Sequence, residues 1–254
     1  MNVLEKIINE RKKDLPAARM LNNKPASSTS KDFAKALRKK NSMPSLIAEL
    51  KRKSPSKGDI RTNITVEEAV KLYEPYAAAL SILTEPNYFG GSLKDLSLAA
   101  SLTQKPLLRK DFLIDPVQVK EARLFGADAY LLIMAALSDS QFEEMLDAGR
   151  EFDMPALVEV HNEEEAERAL KYDIQIMGIN NRNLEDLSID LSTTERIISS
   201  LSGEEKKKLI IVSESGLSSK KDIENLPEEV EAVLVGTAIM SAEDPAEFLK
   251  SVFS

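Results

Sequence analysis

From Ser45 onward the chain alternates between two patterns of apolar and polar positions. Short apolar runs occur at 45–49, 79–83, 106–108, 129–133, 156–160, 174–179, 209–213 and 232–236. Between them lie stretches whose apolar residues recur at helical spacing. In "TVEEAVKLYEPYAA", Val66, Ala69, Val70 and Tyr73 share one side, which predicts an amphipathic helix. "SDSQFEEMLDAGREF" opens with Ser138 or Ser140 as its N-cap. "NEEEAERALKY" carries acid early and base late, the order a helix dipole favours. Strands this apolar, separated by helices, indicate parallel strands covered on one face or both. About eight strand–helix units favour a closed (β/α)8 TIM barrel, an α/β fold, over an open doubly wound sheet.

The segment before Ser45 reads differently. Residues 1–22 predict a helix, with Val3, Leu4, Ile7 and Ile8 on one face. Residues 23–31, "NKPASSTSK", predict a polar hinge, and "DFAKALRKK" a short helix with Asp32 near its start. We expect residues 1–44 to be a helical extension packed on the barrel, and residues 1–254 to form a single domain. The length of 254 residues suits one such barrel. The net charge of −8 argues against a broad nucleic-acid surface. Without cysteine there is no disulfide, thiol nucleophile or thiolate metal site. No apolar run approaches the roughly 20 residues of a membrane span. The opening "MNVLEKIINERKKDL" has no apolar signal core. These features predict a cytoplasmic protein with no membrane or nucleic-acid partner.

In a barrel of this type the active site lies at the C-terminal ends of the strands, so the residues that close each apolar run are the candidates for chemistry. The first run leads into Glu49, Lys51 and Lys53, the second into Glu85, Phe89 and the Gly90-Gly91 pair, and the third into Lys110 and Phe112. The fifth carries Glu159, the sixth ends in Asn180 and Arg182, the seventh in Glu214, Ser215 and Gly216, and the eighth in Gly236 and Thr237. Any one polar loop is ordinary: Lys51 with Glu49 would suit a solvated pair, Lys110 a charged turn, Ser215 and Asn180 turn residues, and Phe89 and Phe112 core packing. The recurrence at nearly every strand end is not ordinary. Unpaired charges inside or beside apolar runs are costly, so these lysines and glutamates should pair around one cavity. Gly216, Gly236 and Thr237 would cradle a phosphate with backbone N–H groups, and Lys53 could add a positive charge from the first loop. His161 comes after a strand without an evident partner in sequence and is taken as structural or exposed.

The segments "IAELKRKSPSKG", "LTEPNYFGGSLKDL", "LLRKDFLIDPVQVKEARLFGADAYLLI", "LVEVHNEEE", "GINNRNL", "VSESG" and "AVLVGTAIM" resemble, in order and at matching spacing, the indole-3-glycerol-phosphate synthase family. The resemblance spans about residues 45–245, and the N-terminal helices look like the extension that family carries. It implies a (β/α)8 lyase of tryptophan biosynthesis. That enzyme converts 1-(o-carboxyphenylamino)-1-deoxyribulose 5-phosphate to indole-3-glycerol phosphate with loss of CO2 and water, using no metal and no organic cofactor. By resemblance, Lys110 is the general acid of ring closure and Glu159 handles a proton in the later steps. Lys51 contacts the substrate carboxylate and can itself serve as an acid, and Glu49 orients Lys51 and Lys110. Asn180 and Ser215 position hydroxyls and carboxylate, with Glu214 in support. Phe89, Phe112 and Leu131 would hold the aromatic ring, Pro55 and Leu184 would add apolar walls, and Ser54 and Arg182 join the substrate-binding set. The expected partner is this small sugar phosphate, and the expected state a monomer, with a dimer as the alternative.

Thr237 departs from the family pattern, standing where an acid is frequent; it keeps the backbone amide. Two other readings compete. Another sugar-phosphate barrel enzyme is one, but the isomerase of phosphoribosylanthranilate would be expected to use a Cys and an epimerase several metal-binding His, and this chain has no Cys and one His. A non-catalytic phosphate-binding barrel is the other.

Overall fold

The computed structural model describes residues 3–21, 30–184 and 186–253. The expected hinge at 23–31 lies almost wholly outside them. Eight strands form the centre: β1 Ser45–Leu50, β2 Ala79–Leu83, β3 Leu107–Lys110, β4 Ala129–Ile133, β5 Ala156–Val160, β6 Ile176–Asn180, β7 Ile210–Glu214 and β8 Val230–Val235. All pair in parallel with their sequence neighbours, and β8 returns to β1 to close a barrel, with Ser45 opposite Ala232 and Ala48 opposite Val235. This is the (β/α)8 architecture. Helices alternate with the strands around the outside.

Period-two alternation sorts each strand into two faces. Leu46, Ala48, Leu80, Leu132 and Val158 belong to the cluster shared with helix residues such as Val70, Tyr73 and Phe142. Ile47, Ala79, Leu108, Leu131, Leu157, Ile176, Val212 and Leu234 fill the barrel interior. Several strand ends shift by one or two residues from the sequence expectation. β3 runs on to Lys110, whose carbonyl accepts Thr84 N–H at 3.1 Å. β8 begins earlier, at Val230, with a register shift before Ala232. Ladder bonding ignores side-chain polarity, so a charged residue on the inward face need not end a strand.

The helices start where capping chemistry places them. Thr65 and Glu68 form a capping box before Val66–Tyr73. Ser138, not Ser140, caps Asp139–Arg150, and Asn162 caps Glu163–Ala169. The extension docks at two places. Phe33, Ala34 and Leu37, from the helix Phe33–Leu37 capped by Asp32, join the interior cluster. The helix Val3–Met20 is tied to the segment after β3 by Arg11–Asp111 at 2.8 Å and Arg19–Asp115 at 2.9 Å. No helix among the described residues is long and apolar enough to cross a membrane.

Candidate active site

At the strand C-termini the inward face changes from apolar to charged. A cavity of about 280 Å³ opens there, and every residue given a site role from the sequence except Lys53 lines it. Lys53 lies in a short hairpin with Gly58–Asp59, and its ammonium sits 3.2 Å from Asp59.

The floor is an ion-pair cluster built from five strands. Lys110 Nζ lies 2.9 Å from Glu159 Oε2 and 3.4 Å from Glu214 Oε2. Lys51 Nζ lies 2.7 Å from Glu49 Oε1. Asn180 Nδ2 donates to Glu159 Oε1 at 3.0 Å. The expected pairing of lysines with glutamates around one cavity is therefore found. Glycines make room for it: a Cβ at Gly236 would come within 2.9 Å of the Glu49 Cβ, and one at Gly178 would collide with Glu214 Oε1.

Charge partners decide the protonation states. Burial opposes ionisation of Glu49, but Lys51 and Lys110 outweigh it and hold the carboxyl below its usual range. Burial opposes the charge on Lys110 too, yet Glu159, Glu214 and Glu49 hold its proton more tightly than a free amine would. Glu159 is held ionised against burial by Lys110 and His161. Glu214 differs: burial, with repulsion from Glu159 and Glu49, prevails over Lys110 and lifts it to about 7.

The walls are apolar and aromatic. Phe89 and Phe112 tilt against each other at 5.9 Å between ring centroids. Glu85 faces away from this work: its carboxylate accepts the N–H groups of Asn87, Tyr88 and Phe89, fixing the loop that carries Phe89. Opposite, Ser215 adopts a left-handed φ of 66° before Gly216. Asn181 Nδ2 holds that turn by donating to Ser215 O at 3.1 Å. Arg182 Nη1 donates to Leu187 O at 2.8 Å.

Comparison with known proteins agrees with this geometry. A family model described as indole-3-glycerol phosphate synthase matches residues 4–252. The chain belongs to the indole-3-glycerol phosphate synthase family. It is 44% identical to the indole-3-glycerol phosphate synthase of Lachnospira eligens, over 81% of this chain and 77% of that protein. It is 40% identical to that of Campylobacter jejuni subsp. doylei, over 98% of this chain and 99% of that one. A Buchnera aphidicola tryptophan biosynthesis protein, TrpCF, is 40% identical over 94% of this chain, which spans about half of its length (52%). The fold alone is shared with a crystal structure of KGPDC from Streptococcus mutans, at TM-score 0.57 and 14% identity over 84% of this chain and 100% of that one.

Sequence reasoning within this family missed three groups. Val3, Leu4 and Ile7 of the N-terminal helix line the cavity. Their spacing showed an apolar face but not what it covers. Thr84, Arg109 and Asp111 form a buried network on the helix side of β3, with Arg109 Nη2 3.1 Å from Asp111 Oδ2, Thr84 Oγ1 bonded to the same oxygen and Arg109 Nη1 donating to Gln118 O. His161, expected to be structural or exposed, is neither free nor exposed: it lies between Glu159 and Glu165. Parity was the available signal, since residue 161 directly follows β5 and continues the alternation that turns residue 159 inward.

Proposed function

We propose that this chain is a carbon–carbon lyase, a carboxy-lyase, that makes indole-3-glycerol phosphate from 1-(o-carboxyphenylamino)-1-deoxyribulose 5-phosphate in tryptophan biosynthesis, in the cytoplasm. The observation that carries this reading is Lys110 held between Glu159 and Glu214 on the floor of an aromatic-walled cavity. Family membership supports it.

The reaction closes a ring. The aromatic carbon bearing the carboxylate attacks the ketone carbon, and the ketone oxygen takes a proton from Lys110. The oxyanion forming there is more basic than an amine, so a tightly held ammonium still delivers its proton. The carbon–carboxylate bond then breaks, CO2 leaves, and its electron pair restores the aromatic ring. The hydroxyl departs as water with a proton from the Lys51 ammonium, or from Lys110 once it has taken up a new proton. Glu159, ionised in the resting site, takes a proton from the carbon beside the ring nitrogen, and the indole double bond forms. Positioned acids and bases of this kind are each worth roughly 10²–10⁴ in rate.

Binding divides the cavity. Phe89, Phe112 and Leu131 face the aromatic ring, with Pro55 and Leu184 beside them, and Lys51 faces the carboxylate. Asn180 and Ser215 serve the sugar hydroxyls, and Ser54 and Arg182 the rest of the polar chain. Gly216, Gly236 and Thr237 take the phosphate, because a helix begins at Thr237 and the first N–H groups of a helix lack internal acceptors. Lys53 acts at longer range, since Asp59 engages it.

The test is direct. Chelator-treated protein is mixed with the carboxyphenylamino-deoxyribulose phosphate and indole emission is followed. Emission growing in with turnover supports the lyase. Tight binding of that compound without emission would leave a phosphate-binding barrel and overturn the activity.

A further inference from the structure

The ring-closure chemistry leaves unused a buried titratable side chain that touches Glu159. His161 is the chain's single histidine and comes directly after β5. Its side chain is 9% exposed. Nδ1 lies 3.0 Å from Glu165 Oε2, which also accepts the His161 backbone N–H at 2.9 Å. Glu165 is fixed in turn, because its Oε1 accepts Asn162 Nδ2 at 3.0 Å at the start of the helix Glu163–Ala169. On the other side, Nε2 approaches Glu159 Oε1 at 3.2 Å. That contact is electrostatic, without the alignment of a hydrogen bond, and Nε2 has no hydrogen-bond partner among the described residues.

We propose that His161, clamped between Glu165 and Glu159, is a positioning residue that keeps the Glu159 carboxylate charged and turned toward Lys110. The proposal rests on the reading of Glu159 as the group that takes a proton. Its logic lies in the two oxygens. Oε1 receives Asn180 and faces His161, which leaves Oε2 for Lys110 and the substrate. Without a positive partner on the Oε1 side, a buried carboxylate rotates or takes up a proton. The charge on the imidazole is itself sustained by the clamp. Burial works against it, but Glu159 and Glu165 outweigh burial and raise the ring to about 9. The neighbouring charges are engaged elsewhere. Lys110 from β3 reaches Glu159, and Arg168 on the same helix as Glu165 pairs with Asp139 at 2.7 Å.

A single histidine makes the test clean. With ¹⁵N-histidine labelling, the only ring nitrogens in the spectrum are those of His161. In the full-length protein both should be protonated at about pH 7.5, and the titration midpoint should fall by about a pH unit or more in Glu165→Gln and in Glu159→Gln. A midpoint near the ordinary value of about 6.5, unmoved by either variant, would overturn the clamp. In the indole assay, wild-type kcat should fall as pH rises through about 9, where His161 loses its charge. His161→Asn should lower kcat about tenfold, less than the roughly 10²–10⁴ expected for removing the base itself, with KM within about twofold and without that alkaline fall. An unchanged kcat, or a loss that tracks only a lowered Tm with the pH profile intact, would reduce His161 to a structural residue. If the wild-type chain forms no indole, the lyase reading fails, and the NMR arm alone decides the clamp.

Discussion

Three carboxylates converge on Lys110, and each changes what its neighbours hold. Replacing it by Met should cost roughly 10²–10⁴ in kcat, the usual worth of a positioned acid. The fold should persist, as read by far-UV circular dichroism, because the side chain borders a cavity and Glu159 and Glu214 can take up a proton in its absence. Near-normal turnover in Lys110→Met would remove it from its role. Glu214 supplies a second expectation. Its carboxyl is raised to about 7, above its ordinary value near 4.5. A raised carboxyl binds more protons in the folded state than in the unfolded one between those two values. Its contribution to stability is therefore present at low pH and is lost as pH rises through about 7. Glu214→Gln should flatten that part of the stability curve and delete an ionisation near 7 from the kcat/KM profile. Identical profiles for variant and wild type would contradict the assignment.

At the scale of elements, the eight strands were legible because buried parallel strands are continuous apolar runs, and each predicted run became a strand. Their ends were less legible. β3 continues through Arg109 and Lys110 since its ladder bonds are backbone bonds, and those charges are balanced by Asp111 and Glu121 for Arg109 and by the distant Glu159 for Lys110. That the N-terminal helix packs on the barrel was expected, but the place where it docks could not be read. An apolar stripe of Val3, Leu4 and Ile7 says that something is covered, and only the folded chain shows that it is the cavity. Arg11 fastens that helix to Asp111, one residue after Lys110. Arg11→Met should therefore raise KM several-fold while kcat falls less than twofold, since it loosens a wall and leaves the acid in place. Asp111 keeps Arg109 and the Phe112 N–H, so the cost in stability should be below the roughly 3–5 kcal/mol of orphaning a buried charge. Equal proportional changes in kcat and KM would place Arg11 closer to the chemistry than this.

Closure of the barrel is what turns scattered strand ends into one site. Glu49 and Gly236 are far apart in sequence, yet β1 pairs with β8 and a Cβ at Gly236 would press on Glu49. The candidate site was legible to the extent that parity and strand ends determine it, which is why Lys51, Lys110, Glu159 and Asn180 meet. Lys53 escaped because it lies past the strand, where a hairpin and Asp59 redirect it. A ligand that touches several strand ends at once should report on this whole-molecule coupling. At about 100 times its Kd, a ligand bound only by the folded state adds about 2.7 kcal/mol. For a chain of this size that is a rise in Tm of about 5–10 °C, at roughly 2–4 °C per kcal/mol. Indole-3-glycerol phosphate should reach that shift at low concentration, whereas inorganic phosphate or a phosphate-free indole glycerol should need concentrations higher by orders of magnitude. The reason is that in the proposed binding mode ring and phosphate would face different walls, Phe89 and Phe112 on one side and Gly216, Gly236 and Thr237 on the other, and a molecule holding both would lose its freedom of motion only once. Equal potency of the phosphate-free compound would detach the glycine-lined end from phosphate recognition and leave the aromatic wall as the source of affinity.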